Sequence, residues 1–210
     1  MMPIMISSTS SSDRERGRGF IGTFVVVFLG LGLALAALLI LLDPYDTARL
    51  TPFPKAGMPE TGPRVAHASR MRNPEFNAAI FGNSTIQILS PERLDAATGL
   101  RFVQLSVPGT GPMEQASMIE HLIRKRGSAI KTMALGLDST WCDASRSSRT
   151  VHPFPFWLYD SNSLTYLTSL VRMDSLEFLP KRIRLLLGKG PFARSDGFWR
   201  SEERRVGKEC

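Results

Sequence analysis

The sequence predicts an α/β protein: an incomplete, doubly wound parallel sheet preceded by one transmembrane helix. Three observations carry that expectation. An unbroken apolar run lies near the amino end. Short apolar runs alternate with helix signals from Phe76 onward. The composition is that of a folded chain, 43% hydrophobic and 21% charged over 210 residues, which excludes disorder and low complexity and allows one or at most two domains.

The apolar run is Phe20 to Leu42, FIGTFVVVFLGLGLALAALLILL, 23 residues without a charged, amide or proline side chain. At ~1.5 Å per residue a helix of that length covers the ~30 Å hydrocarbon core of a bilayer. A cleaved signal peptide has a shorter apolar region, ~7–15 residues, followed by small residues. Leu41-Leu42-Asp43-Pro44 is not such a site, so the run reads as an uncleaved anchor whose partner is the lipid bilayer. Arg14, Arg16 and Arg18 precede it and Asp43 and Asp46 follow it. That asymmetry predicts that residues 1–19 stay in the cytoplasm and that everything after Asp43 lies outside it.

Residues 43–75 hold six prolines (44, 52, 54, 59, 63 and 74). Proline removes a donor and disfavours helix in the residue before it. The segment therefore reads as an extended stalk or as a loop packed on the domain that follows. Residues 76–199 are the predicted domain. Ala78-Ala79-Ile80-Phe81 is a short apolar run stopped by Gly82, the signature of a buried strand. Ser90-Pro91-Glu92 gives a cap, a proline at the first helical position and an acidic first turn, and Gly99 stands where that helix should end. Phe102 to Ser106 is a second strand. A helix follows over Met113–Arg126, with Ala116, Ile119, Leu122 and Ile123 as its apolar face, and Lys131–Leu137 is a third strand. Farther on, SRSSRTVHPFPFW reads as a surface loop. Leu164, Leu167, Leu170 and Val171 mark one helix, and Leu176, Leu179, Ile183, Leu186 and Leu187 mark another, kinked or restarted at Pro180 and ended by Gly188.

Arg200 to Cys210, RSEERRVGKEC, reads as the in-frame translation of a standard short-read sequencing adapter. Residues 200–210 are accordingly set aside from fold reasoning, and the natural protein is expected to continue past Trp199. Without that tail the formal charge moves from +7 to +6, since four basic and three acidic residues go. The remaining charge is scattered, with no nucleic-acid footprint. Two cysteines exclude a disulfide framework and an all-cysteine metal cage, and His67, His121 and His152 share no ligand spacing, so no metal and no cofactor are predicted. Cys142, beside Trp141, reads as a buried small hydrophobe or, in an oxidising compartment, as one half of a disulfide.

In open α/β sheets ligands bind beyond the carboxyl ends of the strands. Three segments fall there: Gly82-Asn83-Ser84-Thr85, Ser106-Val107-Pro108-Gly109-Thr110-Gly111-Pro112, and Gly136-Leu137-Asp138-Ser139. From the residues alone, Ser84 serves as a nucleophile or merely caps the next helix. Gly109 and Gly111 bring backbone close to a ligand or simply turn the chain, and Asp138 lines a site or caps a turn.

The block FGNST after the first strand resembles the nucleophile block of the SGNH (GDSL-like) hydrolase superfamily. The stretch from Ala78 to Cys142, AAIFGNSTIQ…RFVQLSVPGTGP…LGLDSTWC, is similar to its membrane-anchored branch, which includes cell-envelope O-acyltransferases. The resemblance implies a flavodoxin-like sheet and acyl transfer through Ser84. It implies an oxyanion hole formed by the backbone amides of Ser84 and of Gly109 or Gly111, with Asn83 and Asp138 lining the site. It also implies an inner-membrane protein with a periplasmic domain acting on an envelope glycan or small ester. Asn83 stands where the family usually has Asp, and Asp138 near a position where many members have an oxyanion-hole Asn. The family's Asp-x-x-His pair is missing, so it is expected past Trp199, and the piece ending there is expected to lack its base and its activity. His67 and His121 do not suit the role of base, and His152 is the remaining candidate. The alternative is a non-catalytic relative that binds or scaffolds in the envelope.

Overall fold

The computed structural model describes residues 11–51, 62–143, 152–189 and 194–198. The adapter-like tail 200–210, residues 52–61 of the proline-rich segment and residues 144–151 of the serine-rich excursion lie outside the described residues. The chain divides into two units, residues 1–38 and residues 39–210.

In the first unit the backbone is helical from Ser11, within α1 (Ser11–Leu42). The part from Gly19 to Leu42, 24 residues with a mean hydropathy of 3.0, is long and apolar enough to cross a membrane. The protein itself covers little of it, since Phe20 is 73% exposed and Leu33 72%.

The second unit is built on a three-stranded parallel sheet in the order β2-β1-β3. The strands are β1 (Ala78–Phe81), β2 (Phe102–Gln104) and β3 (Thr132–Leu135), with Ala79 opposite Val103 on one side and Met133 on the other. Helix α3 (Pro91–Thr98) links β1 to β2, and α4 (Pro112–Arg126) links β2 to β3. Successive side chains on a strand face opposite ways. Ala79 and Phe81 accordingly enter the main core with Val103, Leu105, Met118 and Leu122. Ala78 and Ile80 enter a smaller cluster with Phe102, Leu94 and Leu100. Burial on both faces is why the central strand reads as an unbroken apolar run. The outer side of β2 is covered: the Gln104 N–H donates to the Asp196 carbonyl at 2.7 Å. Among the described residues no strand pairs with the outer side of β3, and Leu135 is 47% exposed.

The expected stalk is folded in its described part. Helix α2 (Pro63–Arg70) starts on Pro63, a position where the missing N–H costs no bond, and buries Ala66, His67, Ala68 and Ser69. Before it, the chain turns sharply through Asp43, Asp46 and Ala48, at φ 43°, 49° and 50°. Left-handed backbone at non-glycine residues is costly unless the surroundings hold it, and here two buried carboxylates do so. Asp43 accepts from the Ala48 N–H at 2.7 Å and the Tyr166 hydroxyl at 2.7 Å. Asp46 accepts from Ser69 Oγ at 2.5 Å, Arg72 at 3.1 Å and Arg182 at 2.8 Å. Tyr45 between them packs edge-on against Trp157 and Phe178. Of the two readings of this segment, an extended stalk or a chain packed on the domain, the described part takes the second, held by polar and aromatic anchors.

Other expectations shift in detail. Gly99 ends α3 at φ 70°, as left-handed helix stops require, whereas Ser90 occupies the cap position without a side-chain bond. On α4 the buried face is Glu114, Gln115, Met118, His121 and Leu122, while Ile123 is 49% exposed. Polar residues displace apolar ones there because each finds a backbone partner. At the end of the predicted surface loop and just beyond it, Phe156–Tyr159 forms the short helix α5 with Leu158 and Tyr159 buried. Helix α6 (Ser163–Leu170) follows, capped by Asn162, and α7 (Met173–Leu186) runs on through Pro180 without restarting. Cys142 is exposed, not buried, because it closes a short turn from the solvent side and donates its N–H to Ser139.

Candidate functional site

Because all three strands are parallel and share one register, their carboxyl ends lie along one edge of the sheet. Pairing continues past the strands there: the Val107 N–H donates to the Gly82 carbonyl at 2.9 Å and the Gly136 N–H to Phe81 at 2.8 Å. The Pro108–Gly111 loop thus starts beside Gly82, and the Asp138 turn starts on its other side.

The segments after β1 and β3 hold the same device. Asn83 Oδ1 accepts from the Thr85 N–H at 2.9 Å and the Thr85 hydroxyl at 2.7 Å. Asp138 Oδ1 accepts from the Thr140 N–H at 2.9 Å and from the Thr140 hydroxyl. Each Asx caps a short 3₁₀ turn, Ser84–Ile88 and Ser139–Trp141. The two turns are joined directly, Asn83 Nδ2 donating to Asp138 Oδ2. Below them the Ile86 side chain fills the space over two glycines. A Cβ on Gly82, at φ +152°, would meet Ile86 at 2.8 Å, and one on Gly136 would meet it at 2.9 Å.

Ser84 is the first residue of its turn and is exposed. Asn83, not Ser84, does the capping, and the Ser84 hydroxyl has no hydrogen-bond partner among the described residues. The neighbouring loop is braced from within. The Thr110 hydroxyl donates to Val107 at 2.7 Å, Gln115 donates to the Thr110 carbonyl at 3.3 Å, and Arg64 donates to Pro108 at 2.7 Å. Gly111 gives its amide to the buried Glu114 carboxylate at 3.0 Å, so that amide is engaged; Gly109, at φ +66°, uses the left-handed freedom that glycine alone has at no cost.

The three histidines separate by environment. His67 is buried, with Nε2 on the Ser106 carbonyl at 3.1 Å and Nδ1 beside Arg70 at 3.1 Å. Burial, and then the Arg70 charge, push its pKa down to about 3. His121 bonds the Tyr159 carbonyl through Nδ1 at 2.9 Å, and burial lowers its pKa to about 4. Both are neutral structural groups. His152 is exposed and rests on the loop glycine: a Cβ on Gly109 would meet its Cδ2 at 2.9 Å and its Nε2 at 3.2 Å.

Ser84, Asn83, Gly109, Gly111 and Asp138, all expected from the sequence, stand on this one edge. Their bonds tie Asn83 to Asp138 but hold Gly111 to Glu114. Arg64, Ile86, Gly136, Thr140 and the seat of His152 add to the expected set. A visible signal did exist for part of it, since Asn-Ser-Thr at 83–85 and Asp-Ser-Thr at 138–140 repeat one turn motif at two strand ends. Among the described residues no group of three His, Cys, Asp or Glu side chains could hold a metal ion. Set against protein-family models, curated proteins and solved structures, the chain matches none of them.

Proposed function

We propose that the chain is a membrane-anchored serine esterase or O-acyltransferase of the SGNH-like kind. Its α/β domain lies outside the cytoplasm and acts on an envelope glycan or a small ester. One observation carries this reading: an exposed, unpartnered serine hydroxyl stands at the carboxyl end of the central strand, between a braced glycine loop and an Asx-linked turn. The β2-β1-β3 order is that with which a flavodoxin-like sheet begins, and it supports a ligand position beyond these strand ends. The apolar Gly19–Leu42 helix supports the anchor, and the arginines before it support a cytoplasmic amino end.

In this mechanism Ser84 Oγ attacks an ester carbonyl while a base takes its proton. The backbone amides of Ser84 and Gly109 donate to the oxyanion; each such donor is worth ~3–4 kcal/mol. Collapse expels the alcohol, and a second alcohol or water then removes the acyl group from Ser84. His67 and His121 are buried and committed to carbonyls, so the base is His152 or a group outside the described residues. Asn83 and Asp138 hold the turn that aims Ser84.

The second reading is a non-catalytic binding or scaffold domain. It is favoured by the engaged Gly111 amide and by the lack of a described histidine in contact with Ser84. A fluorophosphonate probe separates the two. On the first reading it labels the full-length protein and not its Ser84→Ala variant; equal labelling of both removes Ser84 as nucleophile. Orientation is checked in spheroplasts, where external protease is expected to cut a tag at the carboxyl end and spare one at the amino end.

A further inference from the structure

We propose that the carboxyl-terminal half of α7 lies in the membrane–water boundary and holds anionic lipid headgroups. The inference rests on α1 being a membrane anchor. Helix α7 has two apolar sides. Ser175, Arg182 and Leu185 are buried and Phe178 packs on the core. The opposite side carries Leu176, Ile183 and Leu187, at spacings that keep them on one stripe, and they are 38%, 38% and 66% exposed. Arg184 borders this stripe and Lys189 follows it, whereas Lys181 lies off it, paired with Glu177 at 3.1 Å and set over the Phe178 ring.

What places this face is Arg182. Its side chain is buried, its Nε donates to the carbonyl of Leu42 at 3.2 Å, and its Nη2 donates to Asp46 at 2.8 Å. Leu42 is the last residue of the apolar helix, so α7 is fastened at the level where the chain leaves the hydrocarbon. A helix at that level with outward leucine and isoleucine beside lysine and arginine matches an interfacial helix: its apolar stripe enters the acyl boundary and its cations meet headgroup phosphates. Exposed to water, the same stripe is an unexplained apolar surface.

The test uses the whole chain with Cys142→Ser and Cys210→Ser, labelled at Leu187→Cys or, for comparison, at Ile88→Cys on the strand-end turn, which is 88% exposed. It is reconstituted in phosphatidylcholine vesicles with or without phosphatidylglycerol, and lipids bearing a nitroxide near the headgroup quench the fluorophore. Quenching at position 187 is expected to exceed that at position 88 several-fold and to rise with anionic lipid. Arg184→Glu with Lys189→Glu is expected to abolish that rise. Equal quenching at the two positions, in chain that resists carbonate extraction, overturns the proposal. So does self-quenching between labelled copies at position 187, which would give the face to a second molecule. Extraction by carbonate overturns the anchor reading itself, and this one with it.

Discussion

β1 and β3 are neighbours of equal length in one sheet, and they live in different surroundings. All four residues of β1 are buried, whereas Leu135 and Met133 of β3 are 47% and 37% exposed. Both were legible as strands, β1 as a short apolar run stopped by Gly82 and β3 within the predicted Lys131–Leu137. The difference comes from position: β1 has a strand on each side and a core on each face, and β3 has a strand on one side only. An apolar run thus reports strand formation, and neighbours from elsewhere in the chain decide its burial.

The sharpest way to break that contrast is truncation. Phe81→Ala, at a fully buried site, is expected to lower stability by ~3–5 kcal/mol, and Leu135→Ala by well under half of that. Denaturant unfolding in detergent micelles measures both, and equal losses would mean that β3 is covered in solution.

A smaller effect separates the glycines at the two strand ends. Gly82→Ala meets Ile86 and also places alanine at φ +152°, for ~1–3 kcal/mol of backbone strain on top of the clash. Gly136→Ala meets only the clash. Adding Ile86→Gly, which removes the Cβ as well, is therefore expected to rescue Gly136→Ala more fully than Gly82→Ala.

The covered side also carries a pH signature that the open side lacks. With its folded pKa near 3 and an ordinary value of 6.5, His67 is neutral in both states above pH 6.5 and contributes no slope there. Between pH 6.5 and 3 the unfolded chain takes up a proton that the folded one refuses, so stability falls by about 1.4 kcal/mol per pH unit. His67→Gln is expected to remove that share, leaving the part due to His121, and an unchanged slope would contradict the buried, neutral imidazole.

The smallest effect is at Ser84 itself. Exposed and without a described hydrogen-bond partner, it is expected to tolerate Ala within ~0.5 kcal/mol. A loss of fluorophosphonate labelling in that variant would therefore report chemistry, not unfolding.

The sequence by itself determined the apolar helix, the three strands, the stop of α3 at Gly99, and the grouping of Ser84, Gly109, Gly111 and Asp138 at strand ends. These are local matters, set by runs of apolar side chains and by the cap and turn chemistry of neighbouring residues. Tertiary structure alone decided the β2-β1-β3 order and the open side of β3. It also folded the proline-rich segment around Asp43 and Asp46, joined Asn83 to Asp138 across 55 residues, and seated His152 on Gly109. Those depend on which distant side chain reaches a buried charge or an open glycine first. Spacing along the chain does not encode that, because it emerges only when separate elements pack in one register.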